Sequence, residues 1–531
     1  MEKKTLLAVL LILVVFWISS EFIWKKQKPA TTEQPVTENV IETTVSSQPE
    51  VQSVTEIPIK TQTDVDIQDD IILENDLLKI TFTNLGGEIT SIQLKEYFLS
   101  DKITPVDLIP VNGSIFNIEL QMNTGNVINL GNVAFQYDVY EESNRVIFIA
   151  HTEEGIIEKT FTLSNNYQLD FALKTNGYEN LKSYNIGIDS GIADTEEYLK
   201  MKSREYKVVG QLDNTITKFT LSKLEETHEL SGNLDWAAVK SKYFTLAVIP
   251  GDLIEMNRLQ AFQQNESPAM QLGINISGSG FVHDFQLYFG PLIYENLKIY
   301  GNGIESTVEI GPKFLQWISK IFMAFLKILN SIIPSWGICV LIFAIILKVL
   351  LHPLTHKSFE SSTKMQKIQP LMKEIQAKYK HDPQLMNTEL KKLYKEHGVS
   401  PLGGCLPILL QMPILFALYP ILRYSIDLRQ ARFLWLPDLS EPDPIWLLPI
   451  LMAVFMFVQQ KLMAPSKQTL ENMDEKQRAT QQSQKMMMYF MPIMMFFIFK
   501  SLSSGLVLYW TVFSIIGTIQ QYFIKKKFSR E

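Results

Sequence analysis

Residues 338–351 read ICVLIFAIILKVLL, and the only ionisable side chain among them besides the thiol of Cys339 is Lys348. A run this apolar belongs in a bilayer or in a fully buried core. A charged group at the centre of a bilayer costs roughly +2.5 to +3.5 kcal/mol on insertion scales, so one that persists there calls for an explanation. Two are open. Lys348 lies about one helical turn from His352, from where its ammonium can snorkel to headgroup level. Alternatively, it is the charge of a polar pocket enclosed by helices. The rest of the chain has to be read around this choice.

The 531 residues are 46% hydrophobic, an average over two unlike parts. Up to about Gly311 the chain is mixed and polar, whereas most long apolar runs follow Phe314. The length allows two to four domains. The net charge of −7 gives no support for a specific nucleic-acid partner. Two cysteines, Cys339 and Cys405, lie in or beside apolar runs, so no disulfide framework is expected. There is no Walker-type glycine loop, HExxH or CxxC. His352 and His356 have i,i+4 spacing but enclose Pro353 and lack an acidic partner, so neither a metal nor another cofactor is expected.

Residues 1–25 carry Lys3 and Lys4, an apolar run from Leu6 to Ile18, and then Phe22, Ile23 and Trp24. A poor cleavage pattern around Ile18 favours an uncleaved N-terminal anchor over a signal peptide. Residues 26–60 are rich in Thr, Glu, Val, Gln, Pro and Ser without periodicity and read as a disordered tether. Residues 61–312 alternate apolar and polar side chains, as in Tyr167, Leu169, Phe171, Leu173 and in Phe281, His283, Phe285, Leu287, Phe289. Turn signals such as Gly86-Gly87 and Asn165-Asn166 separate these runs. One large antiparallel β-sandwich is expected, with His283 a packed core or edge residue rather than a catalyst.

Residues 313–334 are apolar but interrupted by Lys313, Gln316, Lys320, Lys327 and Ser331 along one stripe, which reads as an amphipathic helix lying in the membrane interface. Transmembrane spans are expected at 335–355, 401–424, 445–463, 486–502 and 503–524. With the anchor, the fold class is a multi-pass α-helical membrane protein of six spans carrying a large extracytoplasmic β domain. Residues 356–400 hold nine lysines and five acids and form a basic helical hairpin turning at His381-Asp382-Pro383. The positive-inside rule places the hairpin, the loop 464–485 with Lys485, and the basic tail 525–531 in the cytoplasm. The loop 425–444, where Arg429 and Arg432 face four acids, then lies outside with the β domain, and both termini lie inside. The hairpin is either a solvated surface or a docking arm for an incoming chain or a ribosome.

Few polar groups interrupt the spans: Lys348 and Gln411, with Gln459 and Gln520 nearer the cytoplasmic ends, and Tyr509, Trp510 and Thr511 along the last helix. Prolines and methionines are dense, and flexible thioethers suit a surface that accepts varied apolar partners. Together these features suggest a helical bundle with one basic pocket and an adaptable apolar wall. A secondary transporter would instead favour internal repeats and paired broken helices, and the chain has no such repeat. An intramembrane enzyme would need a nucleophile–base or metal pair, which the spans lack.

Pro401-Leu402-Gly403-Gly404-Cys405-Leu406-Pro407, running on to Gln411-Met412-Pro413, resembles the YidC-type membrane protein insertases. Gly505-Leu506-Val507-Leu508-Tyr509, Trp336-Gly337 and His352-Pro353-Leu354 strengthen the resemblance, which covers about Phe314 to Lys527. The anchor and β domain resemble the Gram-negative branch of this YidC/Oxa/Alb family. The resemblance implies a non-enzymatic inner-membrane insertase and chaperone with a five-helix core, a groove open to cytoplasm and lipid, and a galactose-mutarotase-like supersandwich in the periplasm. It implies nascent membrane proteins, the Sec translocon and its accessory proteins, the ribosome (through hairpin and tail) and membrane lipids as partners. The substrate groove it implies contains Lys348, Gln411, Met412, Tyr509 and Trp510. Lysine at 348 departs from the family's usual arginine, and only the lysine can lose its proton on desolvation. Trp510 replaces a second tyrosine.

Overall fold

Strands Gln168–Asn176 and Gly280–Pro291 pair antiparallel, with Leu169 opposite Leu287, Phe171 opposite Phe285 and Leu173 opposite His283. The period-two apolar positions of both strands therefore share one face. The structure, a computed structural model, describes residues 65–276, 280–400, 406–463 and 488–528. The N-terminal anchor, the tether, residues 401–405 and the loop 464–485 lie outside the described residues. The described chain divides into two units: a β unit up to Glu309 that also takes in Tyr424–Gln430, and a helical unit of Ile310–Arg423 and residues from Ala431 onward.

The β unit holds three antiparallel sheets of four, nine and six strands. Its core is aromatic. Phe116 meets Phe161, Phe171 and Phe289 edge-on at 5.5–6.3 Å, and each such pair adds about 0.5–1.5 kcal/mol beyond its area. Where the nine- and six-stranded sheets close on each other, a Cβ on Gly210 would stand 2.6 Å from Leu259 Cδ2, so the strand Lys207–Leu212 needs glycine there. At the turn between Leu78–Thr83 and Glu88–Phe98, Gly86 and Gly87 have φ of 74° and 57°, which favours glycine at both. His283 is half-buried with Nδ1 2.8 Å from Tyr184 Oη, and burial lowers its pKa. It is a packed residue of the sheet.

Two charged clusters fasten this unit. Lys207 and Lys240 are direct cross-strand partners, an arrangement in which like charges repel. Glu309 relieves it, with its carboxylate 2.7 Å from Lys207, 3.3 Å from Lys218 and 3.8 Å from Lys240. The second cluster ties in Tyr424–Gln430. Arg429 Nε donates to Glu196 at 2.7 Å, Arg429 Nη2 to Thr195 O at 3.1 Å, and Gln430 Nε2 to Phe98 O at 2.8 Å.

The helical unit begins with α1 (Gln316–Ile332), α2 (Trp336–Lys367), α3 (Gln369–Lys378) and α4 (Pro383–Glu396). It continues with α5 (Leu406–Tyr424), α6 (Leu447–Met463), α7 (Met488–Phe499) and α8 (Ser504–Phe528). Helix α1 buries Ser319 and Leu326 and turns Trp317, Ile321, Ile328 and Ile332 outward. Helix α2 covers the expected span 335–355 and continues through Pro353 to Lys367. Proline removes one backbone donor and leaves the carbonyl of Val349 without its helical partner, but the helix continues. In the hairpin, the Asp382 side chain caps α4 through the amides of Gln384 and Leu385, and Ile368, Leu393 and Val399 form a small core. Among the described residues two helices, Trp336–Ser361 and Ser504–Lys527, are long and apolar enough to cross a membrane, and Leu447–Leu462 and Met488–Phe499 are shorter apolar helices.

Candidate functional site

The site is built on a seam where α2, α6 and α8 run in the same direction. Residues 438–443 start two of them. The buried Asp443 carboxylate accepts from Leu448 N at 2.7 Å, while Ser504 Oγ donates to Asp438 O and Gly505 N to Leu439 O, both at 2.8 Å. These contacts satisfy donors that a helix start otherwise leaves unpaired. From there α6 and α8 keep a seven-residue register. Thr511 Oγ1 donates to Leu448 O at 3.3 Å, Thr518 Oγ1 to Phe455 O at 3.2 Å, and Lys525 Nζ to Leu462 O at 2.9 Å. A strict heptad between two parallel helices is the signature of coiled-coil packing. Helix α2 meets α8 in matching order: Phe343 with Tyr509, Lys348 with Phe513, and His352 Nδ1 with Gln520 Nε2 at 2.9 Å.

Lys348 sits inside this seam. It is 2% exposed, and its Nζ stands 3.8 Å from the centroid of the Phe513 ring. A cation over an aromatic face is stabilised by about 2 kcal/mol once water is removed. On the other side the seam is open only because residue 517 is glycine. A Cβ there would lie 3.1 Å from Lys348 Nζ and 3.2 Å from Gln459 Nε2. The Gln459 amide, from α6, thus borders the same gap. Among the described residues no carboxylate pairs with Lys348 and no acceptor takes a hydrogen bond from it. The ring and the amide dipole are its surroundings.

The other groove residues divide between two places. Tyr509 is fully buried between Phe343 and Phe513, and its hydroxyl has no hydrogen-bond partner among the described residues. Trp510 is half-buried and faces Phe499 of α7, with ring centroids 5.4 Å apart. Gln411 and Met412 are half-buried on α5, which joins the unit through α1, where Ser319 Oγ donates to Ala417 O at 3.0 Å. The structure therefore brings Lys348 and Tyr509 to one seam and places Gln411 and Met412 on another helix. Phe513 and Gly517 escaped the sequence reading. Their signal was the four-residue spacing Tyr509, Phe513, Gly517, which marks one stripe of α8.

Outward faces of the same helices are apolar: Ile345, Val349 and Leu350 on α2, Ile450, Val454 and Val458 on α6, and Ile519, Tyr522 and Phe523 on α8 are all exposed. An aqueous surface rarely presents apolar patches of this extent.

Comparison with known proteins places these features in a family. The family described as "YidC periplasmic domain" matches residues 70–325, and that described as "60Kd inner membrane protein" matches residues 328–531. The membrane protein insertase YidC of Pelodictyon phaeoclathratiforme is 31% identical over 572 residues, covering 99% of this chain and 94% of that protein. That of Syntrophus aciditrophicus is 30% identical over 564 residues, covering 99% of this chain and 100% of that protein. A crystal structure of an active YidC insertase with its first transmembrane domain resolved aligns at 19% identity and a TM-score of 0.37, over 89% of this chain and 95% of that one.

Proposed function

This chain belongs to the YidC family of membrane protein insertases, and from that premise we propose that it inserts inner-membrane proteins by offering the Lys348 charge to the polar flank of an incoming span. The family is non-enzymatic and resides in the inner membrane with a periplasmic domain. The observation that carries the mechanism is the seat of Lys348: a cation buried in an apolar seam with no anion paired to it among the described residues. In such surroundings an incoming carboxylate feels the charge far more strongly than in water. Transfer of about twenty apolar residues into lipid supplies the driving force at ~0.8 kcal/mol per buried CH₂, and the seam lowers the barrier for the acidic segment that must follow.

In this reading the chain has six spans with both termini in the cytoplasm. The shared direction of α2, α6 and α8 supports that topology, because spans two, four and six of such a chain all run outward-to-inward. Gln411 and Met412 on α5, with Trp510, form the apolar and amide wall against which the substrate span slides. The chain acts alone or beside the Sec translocon and also assists folding, and the basic hairpin α3–α4 and the basic tail meet the ribosome.

The test uses purified protein in lipid vesicles and a single-span substrate with an acidic translocated tail, scoring protection of the tail from protease. Wild type and Lys348→Arg are expected to protect the tail and Lys348→Ala to lose protection. Equal protection by all three would remove Lys348 from the mechanism, and no protection above empty vesicles would remove unaided insertion.

A further inference from the structure

The β unit contains an open polar cavity of about 430 Å³. Its floor is Glu88, which is 8% exposed and accepts no hydrogen bond from any described residue. Two glycines make its seat: a Cβ on Gly86 would meet Glu88 Oε1 at 2.9 Å, and one on Gly131 would meet it at 2.8 Å. Below lies Lys159, fully buried, whose Nζ donates to Gly86 O at 2.6 Å and Phe116 O at 3.3 Å. Lys159 supplies Glu88 with a compensating charge but gives its hydrogens to those carbonyls. A carboxylate has about four acceptor sites, and those of Glu88 face the cavity with no described donor on them. The backbone around the floor is itself held under constraint, since the bulky Phe116 has φ of 70°.

The rim supplies complementary groups. Asp69 takes the Thr83 hydroxyl on one carboxylate oxygen at 2.5 Å and keeps the other free. Thr90 gives its proton to Thr81 O at 3.2 Å and turns lone pairs outward as an acceptor. Asn112 and Ser114 bring an amide and a hydroxyl, which both donate and accept. The described residues contain no cluster of three metal-ligating side chains, and Lys159 already balances Glu88, so the cavity does not call for a cation. Alternating donors and acceptors around a carboxylate that no described donor occupies match groups that do both jobs at one atom, which are hydroxyls. We infer that this cavity binds a carbohydrate chain, with Glu88 and Asp69 accepting from sugar hydroxyls and Asn112 and Ser114 completing the contacts. Its volume lies in the range of small-ligand sites.

The full chain in lipid nanodiscs, free of sugar-headed detergents, is titrated with maltotriose, cellotriose and chitotriose by saturation-transfer NMR. At least one trisaccharide is expected to receive saturation, and Glu88→Gln is expected to weaken it about tenfold or more, the usual range for a hydrogen bond to a charged group. Because Glu88 is buried, its variant is checked by thermal unfolding, and the exposed rim variant Asn112→Ala provides an independent loss of several-fold. Saturation of none of the three sugars, unchanged affinity in both variants, or binding of putrescine in place of every sugar would each overturn the assignment.

Discussion

Both units bury lysines, and they treat them in opposite ways. In the β unit, Lys240 is 1% exposed, donates to Thr307 O at 2.8 Å and has Glu309 at 3.8 Å. Lys159 is likewise buried and held by two carbonyls. Both ammoniums are fastened to oxygen. In the helical unit, Lys348 is just as buried but has, among the described residues, a ring face, an amide and a glycine gap beside it. A buried charge tied to acceptors does structural work, whereas one left untied keeps its interaction for a partner that arrives later. Burial alone does not distinguish the two roles; the acceptors do.

The largest effect is expected where the fastening is densest. Glu309→Gln leaves Lys207, Lys218 and Lys240 facing one another without their anion, and breaking a buried pair this way costs about 3–5 kcal/mol. Urea unfolding followed by the β-sheet signal should show that loss. Its pH dependence has a definite sign. Burial draws the Lys240 pKa down to about 7 while Glu309 pulls it up. Between about pH 7 and 10.4 the unfolded lysine therefore holds a proton that the folded one has lost, so stability rises with pH across that window. Burial pushes Glu309 up, yet the three lysines together hold it well below the usual carboxylate range, so its own contribution vanishes only in strong acid. Without Glu309 the protonated lysines should make the variant relatively weaker at pH 6 than at pH 9. An equal loss at both would break the comparison from the β side.

Arg429→Met tests the second fastening. Both Arg429 and Glu196 are nearly inaccessible, and removing the guanidinium strands a carboxylate that burial already pushes up. A loss of about 3 kcal/mol in the same unfolding signal is expected, and Glu196→Gln added to it should recover part, because the stranded charge is then gone. No recovery would mean that the packing of Arg429 on Phe244, not the pair, holds the segment.

Lys348→Met should behave in the contrary manner. With no anion to strand, replacing the ammonium by a thioether of similar length leaves thermal stability unchanged or slightly raised. Protection of an acidic tail should nevertheless fall about tenfold, the equivalent of ~1.4 kcal/mol. A destabilised variant would show that Lys348 is fastened after all, by contacts as structural as those of Lys240.

Much of this contrast is legible in the amino-acid sequence itself. Alternation at Leu169, Phe171 and Leu173 already gave the strand and its buried face, because a two-residue period has one interpretation in an antiparallel sheet. Lys348 stood out because one cation in an apolar run is a local signal. What stayed hidden is non-local. Nothing near Glu309 announces that Lys207, Lys218 and Lys240 converge on it, since three strands have to pair first. That α2 runs on as one helix past the expected span 335–355 is also hidden, because proline disfavours but does not forbid a continuing helix. Gly517 carries no signal of its own in the sequence, and only the packing of α2 and α6 against α8 turns it into a vacancy for Lys348 and Gln459.

That vacancy supports the smallest and most specific prediction. In Gly517→Ala a methyl group would stand 3.1 Å from Lys348 Nζ, closer than ordinary packing tolerates, so one of the two must shift. Overpacking of this kind costs about 1–3 kcal/mol when backbone has to move, and less when a flexible side chain yields. Lys348 is the flexible partner, with four methylenes behind its ammonium. The ammonium over Phe513 should therefore shift by a few tenths of an ångström while the fold is kept, with a melting shift of at most a few degrees and a measurable drop in tail protection. A double-mutant cycle isolates the cause: in a Lys348→Ala background the same substitution has nothing to displace, and its effect on tail protection should vanish. If Gly517→Ala costs the same in both backgrounds, the glycine serves helix packing alone, and the untied lysine needs no prepared seat.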